Sequence, residues 1–231
     1  MQSETYDYIV VGAGSAGSVL ANRLTASGRH RVLLLEAGRP NHPWTRVPVG
    51  FARLIDNPKA NWLYESEPEE GSAQRTIPVP RGKLLGGSSS INGMVFVRGQ
   101  AQDFDTWAQL GNRGWSYRDV LPHFRAMENY DEGEDEFRGR DGPLRVTDTS
   151  EGGPIYDALI AAAAERGIAH NSDYNGAVQE GIGMTQVTIN KGRRMSTAYC
   201  YLDPARDCAN LRIQTGALTE ALILDGTKCL G

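Results

Sequence analysis

The hydrophobic and polar positions of the first 40 residues follow a strand–helix–strand pattern. Tyr8–Val11 is an uninterrupted apolar run, which is typical of a strand covered on both faces. Apolar residues at helical spacing follow it, and Gly28 is placed to end that helix. A second apolar run over residues 32–35 closes on Glu36. The pattern predicts a βαβ unit with parallel strands.

Three glycines stand at the turn between the first strand and the helix. Gly12 permits a sharp turn, Gly14 lets a pyrophosphate approach the backbone, and Gly17 lets the helix pack against the strand. The helix N-terminus offers free N–H groups and partial positive charge to that anion. Glu36 follows Gly17 by about the 20 residues expected of a carboxylate that binds a ribose. We interpret the motif as a dinucleotide site; the alternative is a purely structural glycine turn.

A second glycine-rich block occupies residues 81–95. Adjacent glycines at 86 and 87 precede three serines, one of which could cap a short helix. Many backbone N–H groups with little side-chain bulk would cradle a phosphate or a flat ring. The alternative is a flexible linker, which the neighbouring Arg81, Lys83 and two leucines disfavour.

The segment between these two motifs is rich in prolines and is expected to be irregular. A stretch of this length usually wraps a scaffold or forms a lid. Trp62 within it is either a packing anchor or a wall near a ligand.

The remaining patterns predict a mixed α/β protein. Helices are predicted over residues 103–110, over 116–127 behind a capping box, and from Pro154 to Gly167. Strands are predicted over residues 144–146, 183–190, 211–215 and 218–224, with a hairpin turn at Asp225-Gly226. Residues 128–136 read as a solvated acidic face and residues 193–197 as a surface turn.

Composition narrows the possible functions. The 231 residues carry 24 basic and 28 acidic side chains, a net charge of −4 that argues against nucleic acid or an anionic membrane as partner. The sequence offers no apolar run of about 18 residues for a membrane span and no recognisable signal peptide. Three cysteines without a CxxC motif favour free thiols and a cytoplasmic location over disulfides or a metal site.

Together these motifs resemble the glucose–methanol–choline (GMC) oxidoreductases, in particular choline-dehydrogenase-like alcohol dehydrogenases. The resemblance covers essentially the whole chain. Its elements are the glycine fingerprint at 12–17, Leu35-Glu36-Ala37-Gly38, Asn61-Trp62 with Glu65 and Glu67, the block at 82–93, Phe104-Asp105 with Trp107, Gly114-Trp115, and Arg194-Ser196-Thr197 before Tyr201-Leu202. The glycine–serine block is the family's own signature.

The resemblance implies FAD as cofactor and assigns residues to it. In that family the positions matching Gly12, Gly14, Ser15, Ala16 and Gly17 hold the pyrophosphate, and Glu36, with Ala37 beside it, holds the adenosine ribose. The positions matching Leu85, Gly86, Gly87, Asn92, Gly93, Met94 and Val95 line the flavin, and Thr219, on the late strand, contacts adenine through its backbone. Some relatives attach flavin covalently through a histidine; Ile91 stands at that position, so we expect non-covalent FAD.

The resemblance also implies the chemistry, which is hydride transfer from the carbinol carbon of an alcohol to flavin N5. A histidine takes the hydroxyl proton in the family, but none of His30, His42, His123 and His170 lies in a matching motif, although His42 lies in the lid-like loop. The catalytic residue is therefore expected beyond residue 231, and the electron acceptor could be oxygen, a quinone or a protein. Alternatives are an FAD-binding fragment that is not catalytic alone, and a non-redox relative such as a lyase or a photoenzyme.

The expected domain is discontinuous in sequence. The FAD-binding core is predicted from about residues 1–40, 80–100 and 205–231. Residues 41–79 form the lid-like loop, and residues 101–204 form helical and partial substrate-domain segments.

Overall fold

The computed structural model describes residues 4–149 and 152–231. In the described residues the α-helices, numbered in chain order, are α1 Ser15–Thr25, α2 Phe51–Leu54, α3 Ala101–Gln109, α4 Tyr117–Met127, α5 Pro154–Glu165 and α6 Asp203–Ala205. Short 3-10 helices lie at Pro43–Arg46, Pro48–Gly50, Glu70–Ser72 and Gly87–Ser90, and a π-helix at Ala198–Leu202.

The strands are mostly short. They are β1 Tyr8–Val11, β2 Val32–Glu36, β3 Tyr64–Glu65, β4 Pro78–Val79, β5 Glu128–Asn129, β6 Leu144–Arg145, β7 Thr147–Asp148, β8 Gln186–Val187, β9 Ile189–Asn190, β10 Arg193–Arg194, β11 Leu211–Thr215, β12 Leu224–Asp225 and β13 Lys228–Cys229.

The chain divides into two compact units. The first contains the described residues up to Gly93 and those from Gly192 onward, and the second runs from Met94 to Lys191. The first unit therefore joins distant parts of the sequence. The limits predicted for each segment stay a prediction.

A three-stranded parallel sheet organises the first unit, in the order β1-β2-β11. Leu34 in β2 is paired with Val10 on one side and Ile213 on the other. Leu34 is fully buried, in one cluster with Ala13, Ala21, Leu85, Ala198 and Leu202. The predicted α/β class with a parallel sheet is confirmed.

Local signals placed several elements correctly. Gly28 and Gly167 adopt positive φ angles of 70° and 75° just beyond α1 and α5. Ser116 and Asp119 form the expected capping box at the start of α4. Asp225 pairs with Lys228 in the predicted hairpin.

Three predictions from the pattern were wrong or incomplete. The strand predicted over 218–224 is reduced to β12 Leu224–Asp225, with Ile223 continuing the hairpin through backbone hydrogen bonds to Leu230 and Gly231. The strand predicted over 183–190 is reduced to β8 and β9. Residues 193–197 are not a surface turn, since Arg194 and Ser196 are 1% and 0% exposed.

The second unit is held by a buried ionic network that the sequence did not suggest. Glu128, predicted to lie on a solvated face, is fully buried. Its Oε2 accepts from Arg98 Nη2 and its Oε1 from Arg138 Nε, each at 2.7 Å. Arg138 also pairs with Asp173 and lies over the Tyr130 ring. Residues 131–136 are exposed as expected.

All three cysteines are free, as predicted: Cys200 is buried, Cys208 half-buried and Cys229 exposed. Across the described residues, no helix combines the length and apolar character needed to cross a membrane.

Candidate functional site

The turn between β1 and α1 is built by the three fingerprint glycines. The Gly12 N–H donates to Leu35 O at 2.8 Å, and Gly12 has φ of +90°, a conformation that favours glycine. A Cβ added to Gly17 would stand 1.8 Å from Gly12 O. The loop can close on the helix only because position 17 has no side chain.

The second glycine loop lies directly against the first. The Gly86 N–H donates to Ala13 O at 2.7 Å. A Cβ on Gly87 would lie 2.7 Å from the Gly14 Cα, so the two backbones are in contact. The two glycine motifs, about 70 residues apart in sequence, therefore form one cradle.

A cavity of about 370 Å³ opens beside this cradle. Seven residues predicted to bind the cofactor line it: Gly12, Gly14, Ser15, Glu36, Ala37, Gly87 and Thr219. It is also lined by residues that were not assigned to the cofactor: Val11, Leu35, Trp62, Arg81, Gly82, Ser88, Ala217 and Leu218.

The electrostatics of this cavity favour an anion. Helix α1 begins at its N-cap Gly14, with no side-chain cap and no acidic residue in its first turn. Its first N–H groups therefore remain as donors, and the helix dipole adds partial positive charge. Arg81 contributes a cation to the same wall. This combination fits the pyrophosphate of a dinucleotide.

Glu36 is 5% exposed and connects β2 to the cradle. Its Oε2 accepts from the Ala13 N–H at 2.9 Å and its Oε1 from the Gly38 N–H at 2.8 Å. Each oxygen keeps a second acceptor position, so the carboxylate can also receive ribose hydroxyls. Glu36 thus shapes the loop as well as lining the cavity, a role that the spacing alone did not indicate.

The segment after β11 also lines the cavity. Ala217 N–H donates to Glu36 O at 2.9 Å, which holds this segment beside the end of β2. Thr219 reaches the cavity as predicted, but from irregular backbone rather than from a strand. Its Oγ1 is buried without a partner among the described residues.

Trp62 and Arg81 reach the cavity through a pairing that is distant in sequence. The Trp62 N–H donates to Arg81 O at 2.9 Å. The Trp62 ring stacks on Tyr64, with centroids 5.7 Å apart, and Lys83 Nζ lies 4.4 Å from its centroid. Trp62 therefore lines the cavity and also packs on its neighbours.

The other predicted cofactor residues lie outside the cavity lining. Ala16 and Gly17 belong to α1, Leu85 and Gly86 are buried behind the cradle, and Asn92 and Gly93 are exposed. Met94, with φ of 67°, and the exposed Val95 open the second unit. No serine caps the short Gly87–Ser90 helix; its N-cap is Gly86.

Among the described residues, no histidine lines this cavity. His42 instead lines a separate cavity of the first unit, together with Leu85 and Tyr199. Burial, with the nearby charges of Arg39 and Lys59, lowers the pKa of His42.

Comparison with known proteins identifies relatives over the whole chain. A family model described as GMC oxidoreductase matches residues 6–231. An oxygen-dependent choline dehydrogenase of Photobacterium profundum is 45% identical over 230 residues, covering 98% of this chain and 40% of that protein. One from Escherichia coli is 46% identical over 232 residues, covering 98% and 42%. The chain thus spans about two fifths of the length of these relatives.

Solved structures agree with the sequence relatives. Pyridoxine 4-oxidase from Mesorbium loti is 35% identical with a TM-score of 0.89, and the match covers 97% of this chain and 45% of that one. An FAD-dependent oxidoreductase from Chaetomium thermophilum is 28% identical with a TM-score of 0.89, over 97% and 41%.

Proposed function

Because this chain belongs to the GMC oxidoreductase family, we propose that it is the FAD-binding part of an enzyme that oxidises the CH–OH group of an alcohol. FAD is the cofactor that the family and the solved neighbours support. The substrate and the electron acceptor belong to the proposal, since the chain spans about two fifths of its curated relatives.

The observation that carries the proposal is the backbone contact between the two glycine motifs. Gly14 and Gly87 touch through their backbones, and the cavity beside them meets the open N-terminus of α1. A glycine turn with a purely structural role would need neither the second glycine loop nor an uncapped helix end facing a cavity. Both features serve a bound anion with a flat group attached.

Different residues of the cavity would bind different parts of FAD. Gly12, Gly14 and Ser15 would receive the pyrophosphate at the helix N-terminus, and Glu36 would accept ribose hydroxyls. Thr219, which also lines the cavity, would lie beside the adenine. When bound, FAD supplies a hydride acceptor at N5 for the hydrogen that leaves the carbinol carbon.

The attachment of FAD is proposed to be non-covalent. Ile91, at the position of the histidine that some relatives use for the covalent bond, is 3% exposed and packs with Leu54, Ala60 and Leu84. An aliphatic side chain in an apolar cluster offers no nucleophile to the flavin.

Choline is the first substrate to test, because the curated relatives are named oxygen-dependent choline dehydrogenases. The experiment is anaerobic addition of choline to the FAD-loaded full-length protein that contains this chain, while the flavin absorbance is followed. Bleaching with choline, reversed by oxygen, is the expected result for the oxidoreductase. Pyridoxine, the substrate in the name of the solved neighbour, is the comparison alcohol.

A second candidate is an FAD-binding module that is not catalytic by itself. It is favoured by the cavity lining, which among the described residues contains no histidine to accept the alcohol proton. This candidate predicts normal FAD uptake with no bleaching by any alcohol. Uptake without bleaching would therefore select the module over the enzyme.

A further inference from the structure

Arg194 is a buried cation that pairs with no carboxylate among the described residues. Three arginines are buried among the described residues, and two of them, Arg98 and Arg138, share Glu128. Arg194 is 1% exposed and forms no ion pair within the described part of the chain. Burial lowers its pKa to about 10, which still leaves the guanidinium charged at neutral pH.

The hydrogen bonds of Arg194 go to the glycine–serine block. Nη1 donates to Asn92 Oδ1 at 2.7 Å and to Ser89 O at 3.3 Å. Thr197, three residues later, donates its N–H to Ser89 Oγ at 3.0 Å. Ser89 Oγ in turn donates to Gly86 O at 2.6 Å. Arg194 and Thr197 therefore hold the segment from Gly86 to Asn92 at both ends.

The other two nitrogens of the Arg194 guanidinium make no hydrogen bond within the described part of the chain. Nε and Nη2 of Arg194 are buried without a hydrogen-bond partner among the described residues. Burying a charge without a counterion is costly, and a neutral donor would serve the two neutral acceptors at lower cost. The presence of an arginine at this position is explained if its positive charge, and not only its hydrogen bonds, contributes to the function.

We propose that Arg194 is a positioning residue for the cofactor, fixing the Gly86–Asn92 segment and supplying an uncompensated positive charge to the flavin end of the site. This inference rests on the proposed function, since it requires that FAD binds at the glycine–serine block. Reduction adds negative charge to a flavin, so a fixed buried cation favours the reduced form. The proposal therefore concerns the potential of the cofactor as well as its affinity.

The test compares three variants with the wild-type chain, using FAD affinity, flavin midpoint potential and thermal midpoint without FAD. Arg194→Met removes the charge and both bonds, and Arg194→Lys keeps the charge. Asn92→Asp leaves the arginine in place but sets a carboxylate against it. Arg193→Met is the matched control, because Arg193 is the exposed neighbour.

We expect Arg194→Met and Asn92→Asp to weaken FAD binding at least tenfold and to make the midpoint potential more negative. Asn92→Asp should do so without lowering the thermal midpoint, since it adds an ion pair. Arg194→Lys should keep the potential close to the wild-type value, and Arg193→Met should change nothing. A merely structural arginine would move the thermal midpoint and leave the potential of bound flavin unchanged.

The outcomes separate this inference from the proposed function. Unchanged potentials in Arg194→Met and Asn92→Asp, with normal FAD uptake by the wild type, overturn the inference alone. If Arg194→Met does not fold, the midpoint potentials of Asn92→Asp and Arg194→Lys test the inference instead. Absence of FAD uptake by the wild-type chain overturns both.

Discussion

At the scale of single residues, the cradle depends on glycines, because a side chain at Gly17 or Gly87 would collide with neighbouring backbone. Gly14 and Gly87 let two loops touch, and Gly17 leaves room for Gly12 O. The fingerprint could be predicted because each glycine is explained by its immediate neighbours in sequence. Trp62 and Arg81 could not be assigned, since a backbone hydrogen bond between them brings both to the cavity.

Adding one methyl group at Gly87 should disrupt the cradle. In Gly87→Ala the new Cβ would meet Gly14 Cα at 2.7 Å, in a residue with φ of +52°. The backbone strain alone costs about 1–3 kcal/mol. We expect FAD affinity to fall at least tenfold, measured by fluorescence titration. Gly71→Ala, where a Cβ meets nothing within 4 Å, is the control and should bind like the wild type.

Glu36 should be needed by the fold even without FAD. In Glu36→Gln the amide nitrogen would face one of the two backbone N–H groups that now donate to the carboxylate. An unsatisfied buried donor costs about 1–3 kcal/mol. The free energy of unfolding, from urea denaturation of the FAD-free chain, should fall by that amount. Glu67→Gln, at an exposed position, is the control. If the two variants have equal free energies of unfolding, Glu36 does not stabilise the FAD-free fold and its role is confined to binding the ligand.

At the scale of elements, α1 is expected to act through its N-terminus. Ser15→Asp places a negative charge in the first turn, which has no acidic residue. The charge should stabilise the FAD-free helix by about 0.3–1 kcal/mol while repelling the pyrophosphate. We expect a thermal midpoint at or above the wild-type value together with FAD binding at least tenfold weaker.

Ser27→Asp, just beyond the other end of the helix, is the control for this charge. It should leave FAD affinity within about twofold of wild type, since the dipole effect is confined to the helix ends. Tight FAD binding by Ser15→Asp would contradict the assignment of the pyrophosphate to this helix end.

Helices and strands could be predicted from the sequence where residues close in sequence determine them. β1, α1 and β2 follow from the apolar runs and the glycines, and α4 from its capping box. The segment 218–222 has strand-like composition, but a strand also needs a partner, and among the described residues no strand pairs with it. Burial of Arg194 depends on Ser89 and Asn92, about 100 residues earlier, which no local pattern reveals.

The buried ionic network should dominate the stability of the second unit. Glu128→Gln removes the charge that Arg98 and Arg138 share, which leaves Arg98 with no carboxylate among the described residues and Arg138 with Asp173 alone. Breaking a buried pair in this way costs about 3–5 kcal/mol. Urea denaturation followed by the fluorescence of tryptophans in this unit should show that loss. The exposed Glu136→Gln should be neutral; a neutral Glu128→Gln would mean that the network contributes little.

At the scale of the whole molecule, the sequence predicted the family and the parallel sheet because the decisive motifs are short and specific. The family model and the choline dehydrogenases confirm them over nearly the whole chain. The division into two units depends on contacts between residues up to Gly93 and those beyond Gly192. Such contacts leave no signal in local periodicity, so the segment limits given from the sequence rest on the family resemblance and stay a prediction.

The central claim is that this chain binds FAD, without a covalent bond, in the cradle formed by its two glycine loops. The most direct test is the visible absorption spectrum of the purified chain incubated with FAD, recorded before and after acid precipitation. We predict a yellow protein that releases all of its flavin into the supernatant. A colourless protein that takes up no added FAD would contradict the claim, and flavin retained in the precipitate would contradict non-covalent binding.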